Sequence, residues 1–547
     1  MLELSPITAS ILAAIIALCL GLLIVPLAKK WGRRFGLVDA PDQKRKLHSS
    51  SIPLIGGIAV FVTVLLTLAL VSLIGEQAAF LSFVGDKKLI GLLLASLLIL
   101  AIGVIDDRFA IRGRQKLLGQ FAAATVLIYF GYRFDIVSVF GLHFNEQMPA
   151  VYILVAYAWI LIGINSVNLL DGADGFATTI GIVTSVALCV MALGLAFAMP
   201  LDATDPTELA QQKSIQASHF RDAIICAAMA SALVAFLKFN FPPATAFLGD
   251  AGSMLIGLFI AAMAIKSGVK QATSYAFLAP IALLAIPMFD TLAAILRRKL
   301  TGRSIYDTDR GHLHHALMGK GFGPRKSLLL FFAMCLMTAT GGTMALIYQQ
   351  AEYAALAILS VAVFLFVGRI FGMAEFELVS HRSKSAFRSL LVKPKKSQHP
   401  AEHSSIRLQG ERDWDLCWQV LREFAEKHQV SQMTFDLNLP WIHESFHAQY
   451  KTTDKKKSEL EERWQLELPL TANQRSIGRL NVQACVNQTH FGSLSMELAE
   501  VLASLEDYIV ETMESHLKVA DVEEFVAEQQ SIEFGDTPAV PKNIDIR

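Results

Sequence analysis

The chain has 547 residues, of which 53% are hydrophobic and only 18% are charged, and its mean hydropathy is +0.46. A soluble protein of this length needs a more polar surface, so most of the chain is expected to lie in lipid. The formal net charge is +0 and the charges form short clusters between apolar runs, which excludes a global basic surface for nucleic acid. The 6 cysteines contain no Cys-x-x-Cys pair, which disfavours disulfides and a structural zinc.

Apolar runs of about twenty residues are long enough to span a bilayer as helices. They predict about eleven spans, near 7–28, 53–74, 88–105, 116–133, 150–168, 178–198, 220–238, 249–266, 275–296, 326–348 and 353–372. The first run is too long for a cleaved signal and lacks a basic segment before it, so we expect a retained helix. The predicted fold class is an all-α polytopic membrane protein with a small C-terminal α/β cytoplasmic domain.

Lysine and arginine indicate the orientation of these spans. They concentrate in the loops 29–50, 108–116 and 297–325, whereas the loops 134–149 and 199–218 contain few of them. Because basic loops stay in the cytoplasm, this pattern predicts an external N-terminus and a cytoplasmic C-terminus.

The composition changes after residue 372 and predicts four regions. They are a transmembrane domain at 1–372, a basic juxtamembrane linker at 373–410, a soluble α/β domain at 411–517 and a disordered acidic tail at 518–547. The soluble domain combines helical spacing (Trp414, Trp418, Leu421, Ala425), strand alternation at 433–439, 464–470 and 480–486, and a final helix around 498–509. Its order of elements resembles a GAF-like sensor domain.

Two adjacent carboxylates, Asp106 and Asp107, end the third predicted span. Adjacent carboxylates stay ionised only near cations or water, and one of them can keep a raised pKa suited to proton transfer. An acidic helix end at the membrane interface is the alternative interpretation.

A second polar cluster ends the fifth predicted span. Asn165, Asn168, Asp171 and Asp174 recur every three residues, which places them near one helix face. Polar groups at the end of an apolar span are costly without a partner, so we interpret the cluster as an ion or phosphate site rather than a structural turn.

A third cluster surrounds Asp250, which lies between Gly249 and Gly252 at the start of the eighth predicted span. Anionic groups are favoured near a helix N-terminus. A plain helix cap with small-residue packing is equally compatible with the pattern.

The fourth cluster combines histidines with an arginine, and its members are Arg310, His312, His314 and His315. Such groups bind phosphates or a transition metal. Since no cysteine is near and carboxylates are abundant elsewhere, we expect these groups to hold phosphates and the aspartates to hold a hard cation such as Mg²⁺. A merely solvated charged loop is the alternative.

Together these clusters, with the segments 36–48 and 52–57, resemble the polyprenyl-phosphate N-acetylhexosamine-1-phosphate transferases of bacteria. The resemblance covers roughly residues 7–370. The sequence Asp-Arg-Gly-His-Leu-His-His that begins at residue 309 looks like the branch that uses UDP-N-acetylglucosamine or a close epimer. It looks less like the branch that transfers MurNAc-pentapeptide.

The resemblance implies an enzyme of the bacterial inner membrane in which undecaprenyl phosphate attacks a UDP-N-acetylhexosamine. No ATP is implied, and no P-loop pattern occurs. The resemblance is compatible with a homodimer, and we expect no nucleic acid partner. Direct displacement and a covalent aspartyl intermediate both stay open.

The resemblance also assigns roles to residues. It implies Asp250 and Asp171 as ligands of Mg²⁺ (Mn²⁺ being the alternative ion). Asp106, Asp107 and Asp174 are the candidate catalytic carboxylates, with Asp174 also a candidate ligand through water. The implied substrate-binding residues are Asn165, Asn168, Arg310, His312, His314 and His315, together with Lys46, His48 and Lys116 for the lipid headgroup. Positive-inside anchoring is the alternative for the last three.

Two other classes of function fit parts of the sequence. A transporter would also carry intramembrane carboxylates, but it predicts polar groups near span midpoints and matching halves. A membrane sensor would signal through the C-terminal domain and would need no cluster of aspartates and histidines.

Overall fold

The computed structural model describes residues 5–39, 51–74, 86–134, 137–139, 142–144, 149–202, 204–268, 274–300, 311–370, 402–409, 414–439, 444–452, 463–472, 475–485 and 494–512, with isolated positions between 372 and 412. The chain divides into two compact units, Met1–Glu375 and Phe376–Arg547.

The first unit is a bundle of helices with two short hairpins. The helices are α1 (Pro6–Arg34), α2 (Gly56–Ile74), α3 (Lys87–Phe109), α4 (Gly113–Tyr129), α5 (Pro149–Leu170), α6 (Phe176–Ala198), α7 (Pro206–Asn240), α8 (Gly249–Gly268), α9 (Ser274–Leu300), α10 (Leu313–Gly319), α11 (Pro324–Ile347) and α12 (Ala351–Val367). The strand pairs are β1 (Val38–Asp39) with β2 (Ile52–Pro53), and β3 (Val137–Val139) with β4 (Leu142–Phe144), both antiparallel.

Nine helices within the described residues are long and apolar enough to cross a membrane, namely α1, α2, α3, α5, α6, α7, α8, α9 and α11. The helix α12 is apolar but shorter, and α4 has 17 residues and begins with charged ones. This architecture is that of a multi-pass membrane protein. The count of about eleven spans stays a prediction.

Helix α8 is the most completely buried of these nine helices. Small residues let its neighbours approach closely. A Cβ atom added to Gly57 of α2 would lie 2.6 Å from the backbone nitrogen of Gly252, and one added to Gly103 of α3 would lie 2.2 Å from the Cα of Ala251. The tight packing therefore fixes the first turn of α8 between α2 and α3.

Two loops differ from the prediction. Residues 206–218 were expected to belong to an external loop, but they form the first turns of α7, which has 35 residues. The Asp205 carboxylate caps this helix by accepting a hydrogen bond from Thr207 N at 2.9 Å, Pro206 occupies its first turn, and the segment contains no glycine or internal proline to stop it. The predicted loop 134–149 contains the hairpin of β3 and β4.

The second unit contains one antiparallel five-stranded sheet. Its elements are β5 (Glu402–Gln409), α13 (Asp415–Lys427), β6 (Gln432–Leu439), β7 (Glu444–Lys451), β8 (Arg463–Ala472), β9 (Arg475–Cys485) and a helix α14 at 494–512. The strand order is β5-β7-β6-β9-β8. The predicted alternation in β6 is confirmed, because Met433, Phe435, Leu437 and Leu439 are all buried in the apolar core of this unit.

The linker predicted at 373–410 needs a correction at its end, since residues 402–409 form the edge strand β5, which pairs with β7. Polar residues dominate both strands, so neither carries the apolar alternation that identified the other strands. The remaining domain boundaries and the GAF-like resemblance stay predictions. The predicted disordered tail at 518–547 lies outside the described residues.

Candidate active site

The segment that leads into α8 is joined to the segment that leads into α2 through backbone hydrogen bonds. The Phe247 carbonyl accepts from Ile55 N at 3.2 Å and from Gly56 N at 3.1 Å, and Phe247 N donates to the Pro53 carbonyl at 2.9 Å. These contacts bring the sequence segment 52–57 against the segment that leads into Asp250. Two motifs that lie far apart in the sequence are therefore in direct backbone contact.

Asp107, at the end of α3, caps α8 from outside that helix. Its Oδ1 accepts from Asp250 N at 2.7 Å and its Oδ2 accepts from Ala251 N at 3.2 Å. Gly249 has a φ of 69°, and a Cβ atom there would lie 2.5 Å from Asp107 Oδ2. Both carboxylate oxygens of Asp107 therefore satisfy backbone donors that a helix start leaves free, which fixes the backbone that carries Asp250.

Asp106 and Asp250 share one lysine. Lys116 Nζ, from the first turn of α4, lies 2.9 Å from Asp106 Oδ2 and 3.0 Å from Asp250 Oδ1. The other oxygen of Asp106 accepts from Ile111 N at 3.0 Å. The adjacent carboxylates of α3 thus have different surroundings: Asp106 lies beside Asp250 and Lys116, whereas Asp107 lies against the backbone of α8.

The asparagines of the second cluster also have different partners. Asn168 Nδ2 donates to Asp250 Oδ1 at 2.6 Å and to Ser253 Oγ at 2.9 Å. Asn165 instead pairs with Gln120 of α4 through two amide hydrogen bonds, of 2.8 Å and 3.2 Å. Gln120 is buried and was missed by the sequence analysis. Asn168 therefore belongs to the carboxylate cluster, and Asn165 to a link between α4 and α5.

Asp171 and Asp174 follow the end of α5. Loss of solvent around its carboxyl, and then the carboxylates of Asp250 and Asp107, raise the pKa of Asp171 well above its ordinary value. Asp174 Oδ2 accepts from Ala244 N at 2.8 Å, which ties this loop to the segment that precedes α8. Asp171 therefore lies close enough to Asp250 for their charges to interact, Asp174 lies against the segment before α8, and the roles predicted for both stay predictions.

The histidines lie at the start of α10. His312 Nδ1 is 2.8 Å from Asp290 Oδ2, and Asp290 Oδ1 accepts from Leu313 N at 2.8 Å. The buried Asp290, on α9, was missed by the sequence analysis because nothing in the apolar run around it marks its role. It orients the His312 ring and caps α10 at the same time.

His314 connects the histidines to the second polar cluster. A Cβ atom added to Gly172 would lie 2.8 Å from His314 Cε1, so this loop needs a glycine beside the ring. The His314 ring stacks parallel to that of His312 with centroids 6.0 Å apart, and lies 4.2 Å from that of His315. Three predicted site residues, Lys46, His48 and Arg310, lie outside the described residues.

The described side chains offer oxygen ligands for a hard cation. In that part of the chain, no three or more His, Cys, Asp or Glu side chains are arranged to hold a metal ion by themselves. Mg²⁺ commonly takes one or two carboxylates and completes its shell with water and substrate phosphates. The nearby carboxylates of Asp250 and Asp171 fit that requirement, and the ammonium of Lys116 at Asp250 shows that a cation is accommodated there.

Helices of membrane length form the framework of this multi-pass membrane protein, and the carboxylates of the candidate site lie at the ends of three of them, α3, α5 and α8. The sequence pattern of Glycosyl transferase family 4 matches residues 89–268, from the first turn of α3 to the end of α8. The chain belongs to this family.

Curated relatives match a longer part of the chain than this pattern does. The chain is 31% identical over 336 residues, which is 59% of the chain and 78% of the relative, to the decaprenyl-phosphate N-acetylglucosaminephosphotransferase of Mycolicibacterium smegmatis. It is 28% identical to the probable undecaprenyl-phosphate N-acetylglucosaminyl 1-phosphate transferase of Bacillus subtilis, over 59% of the chain and 81% of the relative. It is also 28% identical to the undecaprenyl-phosphate alpha-N-acetylglucosaminyl 1-phosphate transferase of Escherichia coli K12, over 58% of the chain and 79% of the relative.

Proposed function

We propose that the protein transfers N-acetylglucosamine 1-phosphate from UDP-N-acetylglucosamine to undecaprenyl phosphate. An oxygen of the lipid phosphate attacks the β-phosphorus of the nucleotide sugar. The bond between that phosphorus and the oxygen bridging to the α-phosphate breaks, and UMP leaves with the electron pair. One diphosphate linkage replaces another, so the reaction needs no ATP, and catalysis depends on positioning and charge neutralisation.

The observation that carries this proposal is the placement of Asp250. Its carboxylate is at the N-terminus of α8, between Asn168 and Lys116, in a cluster whose described side chains include more carboxylates than cations. The three relatives described above are named as transferases of N-acetylglucosamine phosphate to a polyprenyl phosphate. The carboxylate cluster supports a site for a metal ion, and the names of the relatives support the transfer of a sugar phosphate to a polyprenyl phosphate.

Mg²⁺ is part of the proposal, with Asp250 and Asp171 as the residues that hold it. When bound, the ion would neutralise charge on the diphosphate and on the departing UMP. The partly open side of the cluster supports this assignment, since the Asp250 side chain is 35% exposed and substrate oxygens can reach an ion there.

The remaining side chains divide into those that meet substrate and those that position others. Asp106 lies next to Lys116 and is proposed to face the lipid phosphate, which at neutral pH hardly needs a base because its second pKa is near 6. Asp107 is proposed to act through the backbone of α8 rather than on the substrate. The His312 ring, held by Asp290, is proposed to contact the diphosphate.

We further propose that the site faces the cytoplasm of a bacterium, in its inner membrane. The basic loops at 29–50, 108–116 and 297–325 support this orientation, which also places the N-terminus outside and the second unit in the cytoplasm. The product would then start a cell-surface polysaccharide on its lipid carrier.

The test uses purified protein in detergent with undecaprenyl phosphate, Mg²⁺ and a panel of UDP-sugars. We expect UDP-N-acetylglucosamine to give UMP and, by mass spectrometry, an equal amount of undecaprenyl diphosphate N-acetylglucosamine. Omission of the lipid or addition of EDTA should abolish both products. Turnover of UDP-MurNAc-pentapeptide alone, or UMP release without the lipid product, would contradict the proposal.

A further inference from the structure

Lys116 places an ammonium group of the protein itself at the centre of the proposed metal site. Its Nζ lies within 3.0 Å of an oxygen of Asp250 and within 2.9 Å of an oxygen of Asp106. The lysine side chain is only 16% exposed, so water screens these charges incompletely. Part of the negative charge that would attract a metal ion is therefore already neutralised by the chain.

Asp250 Oδ1 accepts hydrogen bonds from Asn168 Nδ2 and Lys116 Nζ. These two donors differ in how easily they can move away from Asp250. Asn168 Nδ2 is also bound to Ser253 Oγ at 2.9 Å, on the same helix as Asp250. Lys116 has a flexible four-carbon stem and a second carboxylate, Asp106, that can retain it. If this oxygen of Asp250 is to bind an ion, Lys116 is the donor that can move away.

We propose that Lys116 competes with the metal ion for Asp250. This inference rests on the proposed function. In the absence of substrate, Lys116 holds Asp250 and weakens the binding of a divalent cation. When a nucleotide diphosphate brings its own negative charge, the cation occupies Asp250, and Lys116 moves to Asp106 and to the incoming phosphates. The metal ion and the nucleotide sugar therefore bind together rather than in sequence.

Binding of Mn²⁺, followed by the electron paramagnetic resonance signal of the free ion, tests this competition without any turnover. Without nucleotide, we expect Lys116→Met to bind Mn²⁺ about tenfold more tightly than the wild type, because a nearby positive charge is lost. Lys116→Arg keeps the charge and should bind like the wild type. The control Lys213→Met removes an exposed lysine near the start of α7 and should also change nothing.

A measurement on the wild type avoids dependence on the folding of a variant. Acetylation of Lys116 by a water-soluble reagent, quantified by mass spectrometry, should rise when Mg²⁺ alone is added at a saturating concentration, relative to acetylation of Lys213, because a Lys116 displaced from Asp250 keeps only Asp106 as a partner. Equal Mn²⁺ dissociation constants for wild type and Lys116→Met, or unchanged acetylation, would overturn the competition alone. Absence of saturable Mn²⁺ binding with nucleotide present would overturn the proposed metal site itself.

Discussion

Helices α3 and α8 carry a charged cluster at each end, and the two clusters differ in their balance of charge. In the candidate active site, Lys116 contacts Asp106 and Asp250, and Asp107 and Asp171 are further carboxylates close to Asp250. About 30 Å away along α3, Asp86 pairs with Arg221 of α7 at 3.2 Å, and the buried Asp222 pairs with Lys266 of α8. Among the described residues, the first cluster has more carboxylates than cationic side chains, whereas in the second each acid has a basic partner, with Lys88 also close enough to act on Asp222.

This difference in charge balance distinguishes a ligand-binding site from a structural brace, by which we mean the ion pairs Asp86–Arg221 and Asp222–Lys266. Buried ion pairs that satisfy one another leave no charge for a ligand, and they fix the register of the helices that carry them. A cluster with excess negative charge and a partly exposed carboxylate is stable only with a cation or water beside it. Helices α3 and α8 thus stabilise the helix bundle at one end and contribute to the candidate active site at the other.

The largest effect on folding is expected at the balanced end. Lys266→Met leaves Asp222 buried without its partner, which should cost about 3–5 kcal/mol of stability and lower the thermal midpoint in detergent. Lys213→Met is the matched control. If Asp222→Asn restores much of the midpoint in the Lys266→Met background, the brace is confirmed; an unchanged midpoint in Lys266→Met would contradict it.

Replacement of Asp107 distinguishes capping from proton transfer at the other end. An asparagine keeps one acceptor for the α8 backbone, so we expect Asp107→Asn to lower turnover by about tenfold, and Asp107→Ala to be much less active, because small displacements of the Asp250 backbone are costly. Steady-state UMP release measures both. Equal inactivity of the two variants would indicate that the Asp107 carboxylate takes part in the reaction instead.

Asn165→Ala should affect stability more than catalysis. It leaves the buried Gln120 amide without its partner, at a cost of about 1–3 kcal/mol, while the Michaelis constant for the UDP-sugar should stay unchanged. The double variant Asn165→Leu with Gln120→Leu should recover part of the stability. A raised Michaelis constant in Asn165→Ala would support the predicted role in nucleotide positioning.

Deletion of residues 401–547 should have the smallest effect on turnover. This deletion removes all the strands of the five-stranded sheet and leaves the carboxylate cluster in the first unit. We expect UMP release to continue in the purified truncated protein. A folded but inert membrane unit would favour a sensor whose output depends on the C-terminal region.

Much of this site could be predicted from sequence because its residues form short motifs. The spacing of Asn165, Asn168, Asp171 and Asp174 predicted one polar cluster, although α5 ends before Asp171, and Asp250 stands between glycines. Two partners, Gln120 and Asp290, were missed because each is a single polar residue in an apolar helix. Their roles arise from contacts with α5 and α10, which no local pattern encodes.

Much of the fold could also be predicted, because local patterns in the sequence determine many of its helices and strands. Long apolar runs located the helices of the first unit, and alternation located β6, β8 and β9. Polar strands such as β5 lack that alternation, and the first turns of α7 are polar helix that a hydropathy criterion assigns to a loop. Asp107 caps α8 whereas Asp106 contacts Lys116. This difference depends on the position of the first turn of α8, which the adjacent positions of the two residues in sequence do not reveal.

The most direct test of the carboxylate cluster's role compares UMP release by wild type, Asp250→Asn and Asp202→Asn, with folding checked by size-exclusion chromatography. Asp202 is an exposed acid outside the site. We predict release that depends on undecaprenyl phosphate in wild type and Asp202→Asn, and a loss of at least about a thousandfold in Asp250→Asn, on the order of 4 kcal/mol of transition-state stabilisation. Wild-type rates in folded Asp250→Asn would contradict the claim that this cluster performs the chemistry.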